Sequence, residues 1–430
     1  MESQEEPQSF GHLLLRYRLR AELTQQELAD FSTISVRAIR DLEHGRARQP
    51  RRDTVRLLAD GLHLNDRDRV CLEDAAGRRP GRSRLRAGRS GSATAPPVPR
   101  TPLIGRHGEL RSLTEGLSAT AHRITALVGA PGTGKSRLAV EAAVRLHREL
   151  DLPVLWTTAS SHGFLAHEPD RSAVDLPGPV VDALYGTGED TGPLDALADS
   201  VGDEPVLLVL DDPRPGPLSP QPVADLLSVC PNLRILATSR GSHGLADERV
   251  FLLDPPPTGD AVEILRASMD ETAPLAAPNG ADDGVLARIC GLVDHLPGAL
   301  AAVSTWSAVY DTATLLSCLG EDPLPLLAPL SGTGADIGDG FSLALRQNPP
   351  EQTAILRLLC ESPLGETAAG IAQATGLSLT DCGRALASLI TRGLVHRDRE
   401  ATDSRFRAFR LVSVLCASTT SPTEHMEFAS

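Results

Sequence analysis

One segment constrains this chain more than any other: GAPGTGKS, Gly129 to Ser136. The apolar run RITALV precedes it, and RLAVEAAVRLHREL, apolar at helical spacing, follows it. Strand, glycine loop and helix is the setting that a G-x-x-x-x-G-K-S spacing requires. Glycines at 129, 132 and 134 let backbone N–H groups turn toward an anion, and the helix N-terminus adds its dipole. Lys135 supplies a compact positive charge. It is the only lysine among 430 residues; every other member of the 42 Lys and Arg residues is arginine. A planar guanidinium substitutes poorly for a point charge in such a loop. The spacing therefore predicts a phosphate-binding loop formed by Gly129, Ala130, Pro131, Gly132, Thr133, Gly134, Lys135, Ser136 and Arg137. It also predicts an α/β domain with a parallel sheet around that loop.

A loop of this kind works with a metal and a second carboxylate site. PVLLVLDD, Pro205 to Asp212, reads as a buried parallel strand ending in two aspartates. Asp211 and the Ser136 hydroxyl are the expected Mg²⁺ ligands, and Asp212 the residue that orients or activates water. RILATSR forms another buried strand and ends in Arg240, placed where open α/β sheets bind ligands and so able to read a γ-phosphate. RVFLL, Arg249 to Leu253, reads as a further strand.

The first 76 residues read differently. FGHLLLRYRLR places Leu13, Leu14 and Tyr17 on one helical face. In TQQELADF, Thr24 and Glu27 have capping-box spacing, and Ser35 starts a second short helix, SVRAIRDLEHG. Two short helices with Ala29, Ile34, Ile39 and Leu42 turned inward describe a helix-turn-helix, whose second helix can enter a major groove. Charge agrees with an anionic partner. Residues 1–100 carry 19 arginines against 14 acids, whereas the remainder carries 23 basic and 42 acidic residues. The stretch 77–100, with seven arginines, four prolines and no acid, reads as a basic linker.

Other features bound the class. No run of 18 apolar residues appears, so no membrane span is expected. Seven widely spaced cysteines without a CxxC pair argue against a zinc site or disulfide framework and suggest a cytoplasmic protein. The expected boundaries are a helix-turn-helix domain to 76, the linker to 100, an α/β domain over 101–255, a helical domain over 256–335, a last helical unit over 336–418 ending in strand-like runs, and a tail over 419–430. The acidic, Gly- and Pro-broken stretch 161–204 is insertion-like and a candidate docking surface.

Residues 9–76 resemble the lambda-repressor-like (XRE) helix-turn-helix family through LTQQELAD, SVRAIRDLEHG and RRDTVRLLADGLHL. That resemblance implies that Gln25 touches phosphate and that Ser35, Val36, Arg37 and Arg40 face double-stranded DNA. The chain departs from the family at Thr33, where glycine is common in the turn. Residues 102–417 resemble the NB-ARC group of STAND ATPases. LIGRHGEL looks like that group's entry motif, which implies Gly105 and Arg106 beside the nucleotide. CGLVDHLPGAL looks like its GLPLA motif, which implies Pro297 beside adenine, with Gly298 in place of leucine. The last unit resembles its winged helix, and the family's histidine position falls on Phe409, leaving Arg410 as the residue that could reach a phosphate.

Together these resemblances imply a bacterial, cytoplasmic, nucleotide-switched (ATP/ADP, Mg²⁺) transcriptional regulator. It would self-associate in the ATP form on promoter half-sites, act at the nucleoid when bound to DNA, be at most a slow ATPase, and take its signal from a protein partner or from the nucleotide itself. Two alternatives carry different consequences: an ATPase that remodels a protein partner, or a DNA-binding protein with permanently bound, structural ADP.

Overall fold

The computed structural model describes residues 10–21, 23–43, 50, 52–62, 64, 69, 72, 95–99, 101–119, 122–157, 178–186, 192–211, 216–272, 282–328, 337–398 and 404–419. Most of the expected basic linker, most of 161–204, the residue Asp212 and the tail from 420 lie outside these residues. The described residues fall into two compact units.

The N-terminal unit is built from helices α1 (Phe10–Arg20), α2 (Gln25–Ser32), α3 (Val36–Glu43) and α4 (Arg52–Gly61). Leu14, Tyr17, Leu28, Ile39 and Leu58 are buried in its core. The start of α2 carries the expected capping box: the Glu27 N–H donates to the Thr24 hydroxyl at 3.2 Å, and the Thr24 N–H donates to Glu27 Oε2 at 2.7 Å. Thr33, which ends α2, stands in the left-handed region at φ 58°. An L-residue with a side chain costs about 1–2 kcal/mol there. The turn holds this left-handed conformation without glycine. A buried ion pair supports it: Arg18 donates to both carboxylate oxygens of Glu43, at 2.6 and 3.1 Å, tying the end of α3 to α1.

The larger unit holds a five-stranded parallel sheet in the order β2-β3-β4-β1-β5. After α5 (His107–Ser118) the strands run β1 (Ile124–Val128), β2 (Val154–Thr157), β3 (Val206–Asp211), β4 (Leu233–Thr238) and β5 (Glu248–Leu252). Helix α6 (Lys135–Leu150) follows β1; α7 (Gly178–Leu184) and α8 (Gly192–Val201) precede β3, and α9 (Pro220–Val229) precedes β4. Strands β1 to β3 are buried along their whole length, as a sheet covered on both faces demands. Register then fixes chemistry. Thr238 pairs with Asp211 on one side and with Leu127 on the other. Thr238 of β4 thereby lines up Asp211, at the end of β3, with the end of β1, where the glycine loop begins.

Helices α10 (Thr258–Thr272), α11 (Asp283–Leu292), α12 (Pro297–Thr305), α13 (Thr312–Glu321), α14 (Leu324–Leu327) and α15 (Ile337–Arg346) come next. They are followed by α16 (Pro350–Glu361), β6 (Glu366–Thr367), α17 (Ala368–Thr375), α18 (Leu379–Thr391), β7 (Val395–Asp398), β8 (Arg405–Ala408) and α19 (Arg410–Thr419). The last three strands form an antiparallel sheet in the order β6-β8-β7. One hydrophobic core runs from Ala130 in the glycine loop through Leu265, Leu296 and Phe341 to Leu386 and Phe409.

Strands β7 and β8 lie near the end of this last unit, and RLVSVLCAS after them is helix α19. The Asp294 carboxylate accepts the Arg410 and Leu411 N–H groups at 2.8 and 2.9 Å, satisfying two of the unpaired amides at the helix start. Leu411, Val412 and Leu415 then recur on one face against the core. Packing and a distant cap overrule the β-branched content. Among the described residues no single helix is long and apolar enough to cross a membrane.

Candidate functional site

The loop between β1 and α6 has the backbone that its glycines permit. Gly129, Gly132 and Gly134 have φ of 150°, 77° and 98°. A Cβ on Gly129 would stand 2.4 Å from the Leu253 carbonyl oxygen, so only glycine fits there. Gly134 caps α6, directing that helix N-terminus into the loop. The Thr133 hydroxyl donates to the Ala130 carbonyl. Lys135 Nζ lies within this cradle and donates to the Gly129 and Ala130 carbonyls, each at 2.9 Å.

The carboxyl ends of β3 and β4 complete the cluster. Asp211 accepts from Thr238 Oγ1 at 2.9 Å and from the Ser136 hydroxyl, and it faces the Lys135 ammonium. Burial pushes the Asp211 carboxyl up, against those three stabilising neighbours. Burial, reinforced by the Arg240 guanidinium and opposed by Asp211, brings the Lys135 ammonium down to about 8. Lys135, Ser136, Asp211, Thr238 and Arg240 are thus assembled from three separate segments. The donor set suits a phosphate with a divalent cation: backbone amides and an ammonium for the anion, a hydroxyl–carboxylate pair for the metal. Asp212 lies outside the described residues.

A second ring of residues sits on the loop. Arg106 is buried, donates to the Thr133 carbonyl at 3.3 Å and pairs with Glu109 at 3.2 Å. Burial lowers its guanidinium below the usual arginine value, with Glu109, Asp254 and Asp260 opposing. Gly105 has φ 62°, and a Cβ there would meet the Asp260 carboxylate at 2.2 Å. Pro297 and Gly298 begin α12 against the loop: the Gly298 N–H donates to the Gly132 carbonyl at 2.8 Å. A side chain at 298 would stand 3.0 Å from Gly132 Cα, which gives a physical reason for glycine there. Ile337 of α15 abuts Gly132.

The turn after α18 closes the ring. Gly393, at φ 68°, lies against the loop so closely that a Cβ would fall 2.1 Å from Ala130 Cα and 2.2 Å from Ala130 N. Arg392 anchors this turn by donating to the Ala344 carbonyl and Asn348 Oδ1, both at 2.7 Å.

Two expected nucleotide residues lie elsewhere. Arg137 reaches the Thr101 carbonyl and pairs with Glu141 at 2.9 Å. Arg410 is exposed, and its main-chain N–H is held by Asp294. Phe409 is buried between Phe341 and His396, with ring centroids at 6.2 and 5.0 Å. Sequence reasoning missed Thr238, Gly298 as a packing requirement, Gly393 and Asp294. The signal for Gly393 was its place just after an amphipathic helix, the usual left-handed helix stop.

On the N-terminal unit, Ser35 and Arg40 are exposed and the Arg37 side chain is 94% exposed. Val36 is half-buried and packs against the helical core, so it is committed inward and α3 presents mainly Ser35, Arg37 and Arg40. The Ala38 N–H donates to the Ser35 hydroxyl at 3.3 Å, making Ser35 the cap of α3. Gln25 connects the surface to the interior. Its Nε2 donates to Glu43 at 2.6 Å, and its Oε1 accepts from Arg40 Nε at 3.4 Å. Glu43 thereby sets the amide that positions Arg40.

Comparison with known proteins places one part of this architecture. Residues 9–70 match a family described as "Helix-turn-helix domain". No curated protein matches the chain. Among solved structures, Drosophila ORC bound to DNA is 14% identical over 75% of this chain and 88% of that chain, at a TM-score of 0.31. The S. cerevisiae Hsp104–ADP complex is 14% identical over 72% of this chain and 52% of that one, at 0.33. Closed-state Hsp104 with ATPγS and FITC casein is 15% identical over 62% and 52%, at 0.33. This chain spans about half of each Hsp104 chain. Likenesses at these TM-scores fix neither its fold nor its activity.

Proposed function

We propose that this protein is a DNA-binding transcriptional regulator switched by ATP and ADP, with the α16–α19 unit acting as a winged-helix lid in a STAND-type arrangement. The observation that carries the reading is the seating of the Arg392–Gly393 turn and the α12 N-terminus on the glycine loop that carries Lys135. In this reading the loop amides and Lys135 bind the phosphates, and Arg240 reads the terminal one. Ser136 and Asp211 are the residues that would hold Mg²⁺, which supplies charge neutralisation at the phosphate oxygens. Pro297 and Arg106 flank the nucleotide. Adding a γ-phosphate at a loop so tightly covered favours separation of the lid, and the open form self-associates. Association presents several helix-turn-helix units to promoter half-sites, raising effective concentration without new base contacts. Hydrolysis, if slow, resets the switch in the cytoplasm.

The test uses the full chain with duplexes selected from a random pool. With ATP and Mg²⁺, light scattering is expected to show a larger species than with ADP, and duplex affinity to rise at least about tenfold. Equal mass and equal affinity in both nucleotides would sink the switch.

The lysine gives a pH signature. With the ammonium at about 8 in the free loop, and phosphate stabilising its charged form, binding above pH 8 must take up a proton. Nucleotide affinity is expected to be flat from pH 6.5 to 7.5 in this respect and to fall up to about tenfold per pH unit above 8. A fluorescent-nucleotide titration across pH 7 to 9.5 reads this directly, and a flat profile would remove Lys135 from the binding step.

A further inference from the structure

Helices α16 and α19 pack together and bring two thiols into contact. The Cys360 and Cys416 sulfurs share one proton, and Ser413, whose hydroxyl donates to the Phe409 carbonyl at 3.3 Å, lies one turn earlier on α19. Both cysteines are half-buried at the edge of the large core, so neither is sealed from solvent. Cys230, Cys290 and Cys382, by contrast, are buried. We propose that Cys360 and Cys416 are a redox couple, which hydrogen peroxide converts to an intramolecular disulfide stapling α19 to α16.

The two sulfurs have distinct roles. The proton shared with Cys416 favours the thiolate at Cys360, although burial and the nearby Glu361 oppose this. Cys416 is pushed up, because its proton is the one shared with Cys360. Cys360 is therefore the attacking thiolate and Cys416 the resolving thiol. In the first step the Cys360 sulfur attacks a peroxide oxygen. The O–O bond breaks, a sulfenic acid forms, and the departing hydroxide leaves as water after taking a proton. In the second step the Cys416 sulfur attacks the sulfenic sulfur. The S–S bond forms, the S–O bond breaks, and the hydroxyl leaves as water with the Cys416 proton. Two thiols and one peroxide give one disulfide and two waters.

The position gives the bond a consequence. Helix α19 is held at its start by Asp294, two residues before the α12 cap Leu296, and α12 rests on the glycine loop. A staple between α16 and α19 fixes the segment that joins the C-terminal unit to that loop.

The experiment treats the full chain with hydrogen peroxide and maps peptides without reductant. The expected product is a Cys360–Cys416 cross-link that dithiothreitol reverses. Before oxidation, iodoacetamide at neutral pH should alkylate Cys360 about tenfold faster than the half-buried Cys318. Cys416→Ser should leave Cys360 as a sulfenic acid that dimedone traps, and Cys360→Ser should leave Cys416 unoxidised at the same dose. Wild-type protein that gives no Cys360–Cys416 cross-link overturns the proposal without reference to either variant. Peroxide-dependent dimedone labelling at Cys416 rather than Cys360 overturns the assignment of roles.

Discussion

Lys135→Ala is expected to weaken ATP and ADP binding by roughly a hundredfold, about 3 kcal/mol, as measured by calorimetry. The ammonium is the only lysine charge in the chain and lies enclosed beside Asp211. In the free protein two of its three N–H donors go to the Gly129 and Ala130 carbonyls. A phosphate offers the same donors a full negative charge, and a hydrogen bond to a charged acceptor contributes about 1.5–3 kcal/mol. Nothing else in the loop replaces it, since Arg240 comes from a different strand end and Arg137 points to Thr101 and Glu141. Lys135→Arg is expected to rescue little, because the guanidinium is a wide planar fork where the loop closes around a point charge. The variant should melt close to the wild type, because the buried ammonium is itself costly to desolvate. Wild-type affinity in Lys135→Ala would mean that this loop does not hold phosphate.

The second large effect is expected at the opposite wall. Gly393→Ala puts a methyl group 2.1 Å from Ala130 Cα and 2.7 Å from the Gly129 carbonyl carbon, and all of these neighbours are backbone. No rotamer relieves that clash. The substitution also keeps φ at 68°, in the left-handed region, which costs about 1–2 kcal/mol by itself. Adding about 1–3 kcal/mol for overpacking, the closed arrangement should lose about 2–5 kcal/mol. The turn is expected to leave the loop, seen as faster proteolysis after α18 and faster nucleotide dissociation. Gly376→Ala is the matched control. Gly376 has φ 71° but open space around it, so it should show only the backbone cost. If both variants proteolyse and release nucleotide alike, the contact with Ala130 has no regulatory weight.

These two positions also separate what the chain discloses locally from what it does not. The loop around Lys135 is legible because strand, glycines, lysine and helix are consecutive and each has a local physical reason. The Thr24–Glu27 capping box is legible for the same reason. Asp211 and Arg240 could be placed at strand ends, but their meeting with Lys135 depends on the register that pairs Asp211 with Thr238, and register is a property of the folded sheet. Gly393 looks like any helix-stopping glycine until Ala130, far upstream, is laid against it. The same distance separates α19 from its cap: Asp294, whose carboxylate accepts the first amides of that helix, is 116 residues before Arg410. Thr33 shows the reverse case. A left-handed threonine holds this turn while the Arg18–Glu43 pair and the helical core fix the helices on both sides of it.

The held amine at Lys135 also makes the chain chemically addressable. An acylating or carbamoylating reagent finds a single lysine side chain in the entire sequence, and it lies at the centre of the glycine loop. An ammonium near 8 releases its proton at mildly alkaline pH, where the free amine becomes a nucleophile. Any ligand that occupies the loop shields that nitrogen, and any movement that uncovers the loop exposes it. Protein acylation at one residue therefore reports the state of the whole site, without a label added by design.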